Sequence, residues 1–324
     1  MRVTALCGGI GGARFLSGLR TLGHDVTAIV NTGDDMTVLG LRICPDLDSV
    51  LYTLGDGISR ERGWGREGET FRVRDELTRY ASAVAAAERI VPGWFGLGDL
   101  DLATHLLRSS WLADGVELST VIRWLGQRWP TGITVLPASD DPIETWVQLA
   151  DRAVHFQEWW VRLHADVPAL GFDVRGAADA KPAPGVVEAI ESADVVVLAP
   201  SNPVVSIGVI LAIPGIAESV RATAAAVVGL SPIVGGAPVR GMADACLQAI
   251  GVDTTAEAVA RHYGARRTGG LIDGWLVDDV DADAVGSLVR DGFGAAAVPL
   301  LMHDVEASAA MARAAIDLVC GERR

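Results

Sequence analysis

The sequence predicts an α/β protein: a doubly wound, Rossmann-like core with a mainly parallel sheet and a largely helical insertion. Three observations carry that expectation. A short apolar run, Val3-Thr4-Ala5-Leu6, enters the glycine loop Gly8-Gly9-Ile10-Gly11-Gly12 and leaves it as a helical pattern. Apolar, β-branched runs return after about residue 186, each ending in a short polar loop. Between them the texture changes, because eight of the nine tryptophans fall between about residues 56 and 185.

Each element has its own signal. Ala13 to Leu19 places apolar residues on one side of a helix. Asp25-Val26-Thr27-Ala28-Ile29-Val30 is β-branched and mostly apolar, as a buried parallel strand is. Asp48-Ser49 precedes Val50 to Leu54 and predicts a helix start there. Helical patterns follow over Asp101 to Trp111 and Leu118 to Trp129. In Ser139-Asp140-Asp141-Pro142-Ile143-Glu144, Asp141 as N-cap, Pro142 at the first helical position and Glu144 two further on predict another helix start. Strands are expected at Ala193 to Ala199, Ala225 to Leu230, Gly274 to Val277 and Ala295 to Leu301, and a last Ala-rich helix over Val305 to Val319. The chain is therefore expected to form a single domain over 1–324, its core over about 1–55 and 186–324. The insertion, about 56–185, packs over the mouth of the sheet.

Composition bounds the function. Half of the 324 residues are hydrophobic, enough for a substantial core and too many for disorder. With 27 basic against 41 acidic residues the net charge is −14, and no basic run tracks a nucleic-acid backbone, so no nucleic-acid partner is expected. The four cysteines are scattered without a CxxC pair, which supports neither a zinc site nor a disulfide framework and points to a reducing cytoplasm. The first apolar run breaks at Gly8-Gly9 where a secretory signal would continue, and no stretch of membrane-spanning length is present, so no membrane partner is expected.

The chemistry gathers at strand ends. A dinucleotide fingerprint starting at Gly9-Ile10-Gly11 would need a third glycine where Arg14 stands, and no Walker A lysine follows. The loop suits a diphosphate cradle, with Gly8, Gly9, Gly11 and Gly12 baring the backbone at a helix N-terminus and Arg14 as counter-charge. The plainer alternative is a tight β-to-α turn. Asp34 and Asp35, in Asn31-Thr32-Gly33-Asp34-Asp35, lie just past the second strand, where open α/β sheets bind ligands. Asp46 and Asp48 follow in Pro45-Asp46-Leu47-Asp48. Such carboxylates suit a hard ion such as Mg²⁺, or equally a turn or helix cap. Pro200-Ser201-Asn202-Pro203 and Ser206 suit nucleotide or phosphate contacts. His155-Phe156-Gln157-Glu158-Trp159-Trp160 reads as core packing or as a stacking surface for a flat heterocycle. His105 alone reads as structural. Serine-hydrolase and zincin motifs are absent.

In this order, these segments resemble the 2-phospho-L-lactate transferase family, over nearly the whole chain. The ordered set runs from the glycine loop through Gly63-Trp64-Gly65, Leu97-Gly98-Asp99, Ala103-Thr104-His105 and Leu136 to Pro142, then His155 to Trp160, Pro200 to Gly208 and Ser231 to Gly241. Arg42 to Asp48 and Pro92-Gly93-Trp94-Phe95-Gly96-Leu97 look like its actinobacterial, phosphoenolpyruvate-transferring branch. The resemblance implies a step in making the deazaflavin coenzyme F420. The ribityl hydroxyl of the deazaflavin precursor Fo would attack the distal phosphorus of a guanosine diphosphate carrying phosphoenolpyruvyl or phospholactyl, and GMP would leave. It further implies Mg²⁺ dependence and a homodimer. Mapped onto this chain, Gly8 to Gly12, Ser201 and Asn202 would cradle the donor. Asp34 and Asp48 would be the catalytic and metal-contacting carboxylates, Asp48 also meeting Fo. Phe156, Trp159 or Trp160 would face the deazaflavin. Two departures stand out: Gly96 replaces a residue that is basic in many relatives, and Leu100 stands where an arginine is common. The alternatives are a non-catalytic nucleotide-sugar-binding regulator, which would share the early loops only, and a nicotinamide dehydrogenase, disfavoured by Arg14.

Overall fold

A computed structural model describes residues 1–83 and 94–321; Pro92 and Gly93 of the branch-specific segment lie outside them. The chain opens with β1 (Arg2–Cys7), α1 (Gly9–Leu19) and β2 (Asp25–Val30). A small antiparallel hairpin, β3 (Met36–Val38) and β4 (Leu41–Ile43), leads into α2 (Pro45–Leu54). The helix starts at Pro45, not at Asp48, because proline at its first position is pre-set for helical φ. Asp46 and Asp48 thus lie inside its first turn, next to the free amides of the N-terminus.

Three helices follow: α3 (Arg72–Ala83), α4 (Asp99–Ala113) and α5 (Leu118–Arg128). Then comes β5 (Thr134–Pro137), which pairs in parallel with β2 and forms an edge of the main sheet. The expected insertion is therefore interrupted by a strand of the core. Its second half is an antiparallel sheet of β6 (Glu144–Gln148), β7 (Ala153–His155) and β8 (Gly171–Arg175). The helix expected after Asp141 is thus a strand, β6. The Asp140 carboxylate accepts the Ser119 amide at 2.6 Å and the Ser119 hydroxyl at 2.8 Å, and Asp141 accepts the Lys181 amide at 2.8 Å. Neither aspartate caps the segment that follows it. Thr145 and Val147 are buried while Glu144, Trp146 and Gln148 are half-exposed, the period of two that a strand requires.

After α6 (Val186–Glu191), β9 (Val195–Leu198) runs into a π-helical turn, Pro203–Ile207. Next come α7 (Gly208–Ala212), α8 (Ile216–Ala222), β10 (Ala226–Leu230) and the hairpin β11 (Ile233–Val234) and β12 (Ala237–Pro238). The chain closes with α9 (Ala243–Ala249), α10 (Ala256–Tyr263), β13 (Gly274–Val277), α11 (Val285–Arg290), β14 (Gly294–Ala297) and α12 (Val305–Cys320).

The main sheet has the order β14-β13-β10-β9-β1-β2-β5, parallel throughout. Alternate residues of β1 feed opposite cores: Val3, Ala5 and Cys7 join the layer of α1, α2, α5 and α12, and Leu6 joins the layer of α6, α8 and α10. Both faces are covered, which is why these strands read as continuous apolar runs. From β1 the chain order runs outward through β2 on one side and starts again at β9 on the other. That reversal opens a crevice beyond the carboxyl ends of β1 and β9. Among the described residues no single helix is long and apolar enough to cross a membrane; the bent pair Pro203–Ala212 and Ile216–Ala222 is apolar because it packs on the sheet.

Candidate active site

The loops after β1, β2 and β9 meet at this crevice. Gly8 is extended, and Gly9 opens α1 with φ +63, a conformation suited to glycine. Close packing explains two more of the glycines. A Cβ on Gly8 would lie 2.6 Å from Asp46 Oδ2 and 2.7 Å from Ser206 Cβ, and one on Gly12 would lie 2.7 Å from Cys7 Cβ. Ser201 staples the loop: its hydroxyl accepts the Gly8 amide at 3.0 Å and donates to the Gly8 carbonyl at 2.8 Å. Asn202 caps the π-helical turn, its side-chain oxygen accepting the Val204 and Val205 amides at 2.9 and 3.2 Å. Those two side chains hold the cradle's shape. The groups left for a ligand are the Ile10 and Gly11 amides in the first turn of α1, the Ser206 hydroxyl and the exposed Arg14.

Arg14 has company that sequence reading missed. Arg240 makes no ion pair among the described residues, and its guanidinium packs where a Cβ on Gly63 would stand, 3.1 Å from one of its nitrogens. Burial and the charge of Arg14 lower its pKa, so the two cations share one neighbourhood. Two guanidiniums without an ion-pair partner among the described residues, beside a glycine loop, attract an anion.

Two carboxylates stand beside the loop. The Asn31 amide nitrogen donates to both Asp34 Oδ1 (3.1 Å) and Asp46 Oδ2 (2.9 Å), while Asn31 Oδ1 accepts the Gly33 amide at 2.9 Å. Gln157 Nε2 donates to the other Asp34 oxygen at 3.0 Å. Burial and the nearby Asp46 charge push Asp34 well above the usual carboxylate range. Burial pushes Asp46 up to about 6, against the opposing hydrogen bonds from Asn31 and the Gly9 amide. Asp35, fully buried, is pushed up to about 7 by burial although Arg42 stands 3.3 Å away. Two buried like charges on one amide gain from a cation between them.

Asp48 belongs to a different network. Arg108, completely buried on α4, forks onto it: one terminal nitrogen contacts Oδ1 and the other donates to Oδ2 at 3.0 Å. Burial opposes the charge on Arg108, and the Asp48 carboxylate outweighs it, holding that pKa above the ordinary arginine value. Behind the pair, His105 Nε2 lies 3.4 Å from Asp101 Oδ2, and the Tyr52 hydroxyl donates to Asp101 Oδ1 at 2.6 Å. Asp48, Asp101 and His105 bring ligand atoms within 4.8 Å of one another, a grouping able to hold a divalent ion.

The aromatic patch resolves into separate jobs. Phe156 and Trp159 are buried in a cluster with Val147, Val154, Val205 and Cys246, which seats the antiparallel sheet on the π-helical turn. Trp159 is fully buried, with both faces packed in that cluster and its indole N–H donating to the Val167 carbonyl at 2.7 Å, so packing stands where a face toward the acceptor was expected. Trp160 is half-buried, and a Cβ on Gly241 would lie 3.8 Å from its ring. It alone of the three retains accessible surface of note. His155 accepts the Gln157 amide on Nδ1 at 3.1 Å and approaches the Asp35 carbonyl with Nε2 at 3.3 Å, while burial lowers its pKa. At the end of β7, this ring thus ties the carboxylate loop to the helical turn that supplies Gln157. Of the two departures, Gly96 faces open space with only Trp64 at 3.8 Å, and Leu100 is 40% exposed at the start of α4, its amide taken by Glu69 Oε1 at 2.5 Å.

Residues 3–315 match the family model described as 2-phospho-L-lactate transferase CofD. The chain belongs to that family. Similar curated relatives are phosphoenolpyruvate transferases of Streptomyces griseus (56% identical over 324 residues) and Thermobifida fusca (55% over 332), each match covering 98% of both chains. That of Kitasatospora aureofaciens is 57% identical over 325 residues with the same coverage. Among solved structures, protein BH3568 of Bacillus halodurans, also described as a member of the upf0052 family, has a TM-score of 0.61 at 20% identity, over 97% of this chain and 99% of its own. At that identity the likeness establishes the α/β fold alone. The CofD assignment thus agrees with the resemblance carried by the ordered loops, and the crevice just described is the candidate active site of a CofD-family transferase.

Proposed function

We infer that this protein transfers a phosphoenolpyruvyl group from a guanosine diphosphate-linked donor to the ribityl hydroxyl of Fo. GMP is released and dehydro-F420-0 formed; a phospholactyl donor would give F420-0. The observation that carries the reading is full-length likeness to phosphoenolpyruvate transferases, together with a glycine loop and buried carboxylates meeting at the switch point of the sheet. The regulator alternative is not favoured, since the likeness extends over 98% of the chain and includes the later loops.

The residues divide into two halves. On the donor side, the Ile10 and Gly11 amides, Ser206, Arg14 and Arg240 bind the diphosphate and orient its distal phosphorus. Asp34 and Asp46 are the carboxylates that fit Mg²⁺: their oxygens are hard ligands, and their raised pKa values reflect charge that a cation would relieve. Bound there, the ion would neutralise charge gathering on the diphosphate oxygens. Asp48 fits a metal less well, because Arg108 already occupies it and a divalent ion would sit beside a guanidinium. On the acceptor side Asp48 orients the attacking hydroxyl and Trp160 borders the deazaflavin ring. The new O–P bond forms as the bond to the GMP oxygen breaks, and catalysis is mainly positioning and charge neutralisation. We expect a cytoplasmic homodimer. Purified protein given Fo, the guanylylated donor and Mg²⁺ should release GMP in step with the transferred product; no turnover with either donor rejects the reading.

A further inference from the structure

We infer that Arg108 is a positioning residue for the acceptor: its guanidinium fork, rather than a metal ion, is the counter-ion of Asp48 and sets that carboxylate to receive the attacking hydroxyl. This rests on the reading above, in which Asp48 meets Fo.

The helix that carries Arg108 is inside out. The buried positions of α4 are Thr104, His105 and Arg108, whereas Leu106 and Leu107 are 57% and 49% exposed. A helix stabilised only by packing would bury the leucines. Here the buried face is spent on holding polar groups in place. Besides Asp48, Arg108 Nη1 reaches the Arg42 carbonyl at 3.3 Å and His105 Nδ1 at 3.2 Å. The next residue locks the same junction: Ser109 Oγ accepts the Arg42 amide at 2.8 Å and donates to the His105 carbonyl at 2.6 Å. The head of α2, which carries both Asp46 and Asp48, is thereby tied to α4.

The fork also leaves chemistry over. Each carboxylate oxygen offers two lone-pair sites, and a bidentate guanidinium takes one from each. No other side chain hydrogen-bonds Asp48 among the described residues. Its remaining lone pairs can accept a substrate hydroxyl while its orientation stays fixed. Lysine cannot reproduce this, since an ammonium is a point charge without a planar fork.

The test is steady-state kinetics of Arg108→Lys, Arg108→Gln, Asp48→Asn and the double variant Asp48→Asn/Arg108→Gln, alongside GDP affinity and melting temperature. Arg108→Lys should lower kcat/KM for Fo by about 100-fold, the scale of a small misplacement, with KM for the donor and GDP affinity within about twofold. The double variant should be no slower than Asp48→Asn, because both changes remove one unit. It also removes the lone buried charge that could unfold Arg108→Gln, so the comparison stands even if that single variant does not fold. Wild-type kinetics in Arg108→Lys with an impaired Asp48→Asn would overturn this inference alone. Equal losses toward donor and acceptor would also overturn it, as would additive losses in the double variant. Wild-type turnover in Asp48→Asn would overturn it together with the assignment of Asp48.

Discussion

Replacing Asp46 with asparagine should make the metal-free protein more stable while abolishing its response to Mg²⁺. Asp46 is buried, shares the Asn31 amide with Asp34, and has its pKa raised from 3.8 to about 6, first by burial. A folded-state value above the unfolded one means that the native state holds this proton more tightly between pH 4 and 6, in round terms about two pH units. Stability is therefore lost as pH rises through that window, and the full cost is present at pH 8. At 1.36 kcal/mol per unit the cost is about 3 kcal/mol. Asparagine retains one acceptor oxygen, which can serve the Asn31 amide, but carries no charge, and it relieves Asp34, whose pKa the Asp46 charge also raises. For a chain of this size the gain is about 4 °C in melting temperature at pH 8 and close to none at pH 4. Thermal melts in EDTA and in Mg²⁺ at both pH values read this directly. Wild type should gain from Mg²⁺ at pH 8 and much less at pH 4, where Asp46 is protonated. A variant that melts below wild type in EDTA at pH 8, or that still gains from Mg²⁺, would refute the reasoning.

The other predictions concern single side chains. Asp48→Asn should fold, as judged by its melt, and lose most turnover; wild-type rates would remove Asp48 from the mechanism. Trp159→Ala should cost about 3 to 5 kcal/mol as a core truncation, measured by denaturant unfolding. Trp160→Ala should cost less stability and raise KM for Fo, and the reverse pattern would return Trp159 to the acceptor site. Gly12→Ala should destabilise by about 1 to 3 kcal/mol, since its Cβ would meet Cys7 Cβ at 2.7 Å; an unchanged melt would show that this approach is not required.

Much of the core was legible because parallel strands buried on both faces leave a local trace. Asp25–Val30 and Gly274–Val277 stand where their apolar runs place them, and Val305–Cys320 extends its expected helix by one residue. The insertion was less legible because its signals compete. Asp141-Pro142 carries helix-start chemistry, yet Asp140 is drawn to Ser119 twenty-one residues away, a contact no local pattern announces. In the site, the glycine loop and the aspartate clusters were readable as strand-end motifs. Their division into an Asp34–Asp46 pair and an Asp48–Arg108 pair was not, because it depends on Asn31 and on a helix far along the chain. One trace of Arg108 was available: Asp101, His105 and Arg108 share a polar stripe at helical spacing, opposite the exposed Leu106 and Leu107. The aromatic patch was ambiguous because a ring that packs and a ring that stacks on a ligand have the same sequence signature; the complete burial of Trp159 is what favours packing there.

The central claim is that this crevice moves a substituted phosphoryl group from a guanosine diphosphate-linked donor to a deazaflavin hydroxyl. Mass spectrometry of products formed from Fo with the phosphoenolpyruvyl and phospholactyl donors in competition tests it most directly. The account predicts Mg²⁺-dependent GMP release matched mole for mole by dehydro-F420-0, with F420-0 in the minority. Absence of both products, with Fo recovered unchanged from folded protein, would contradict it.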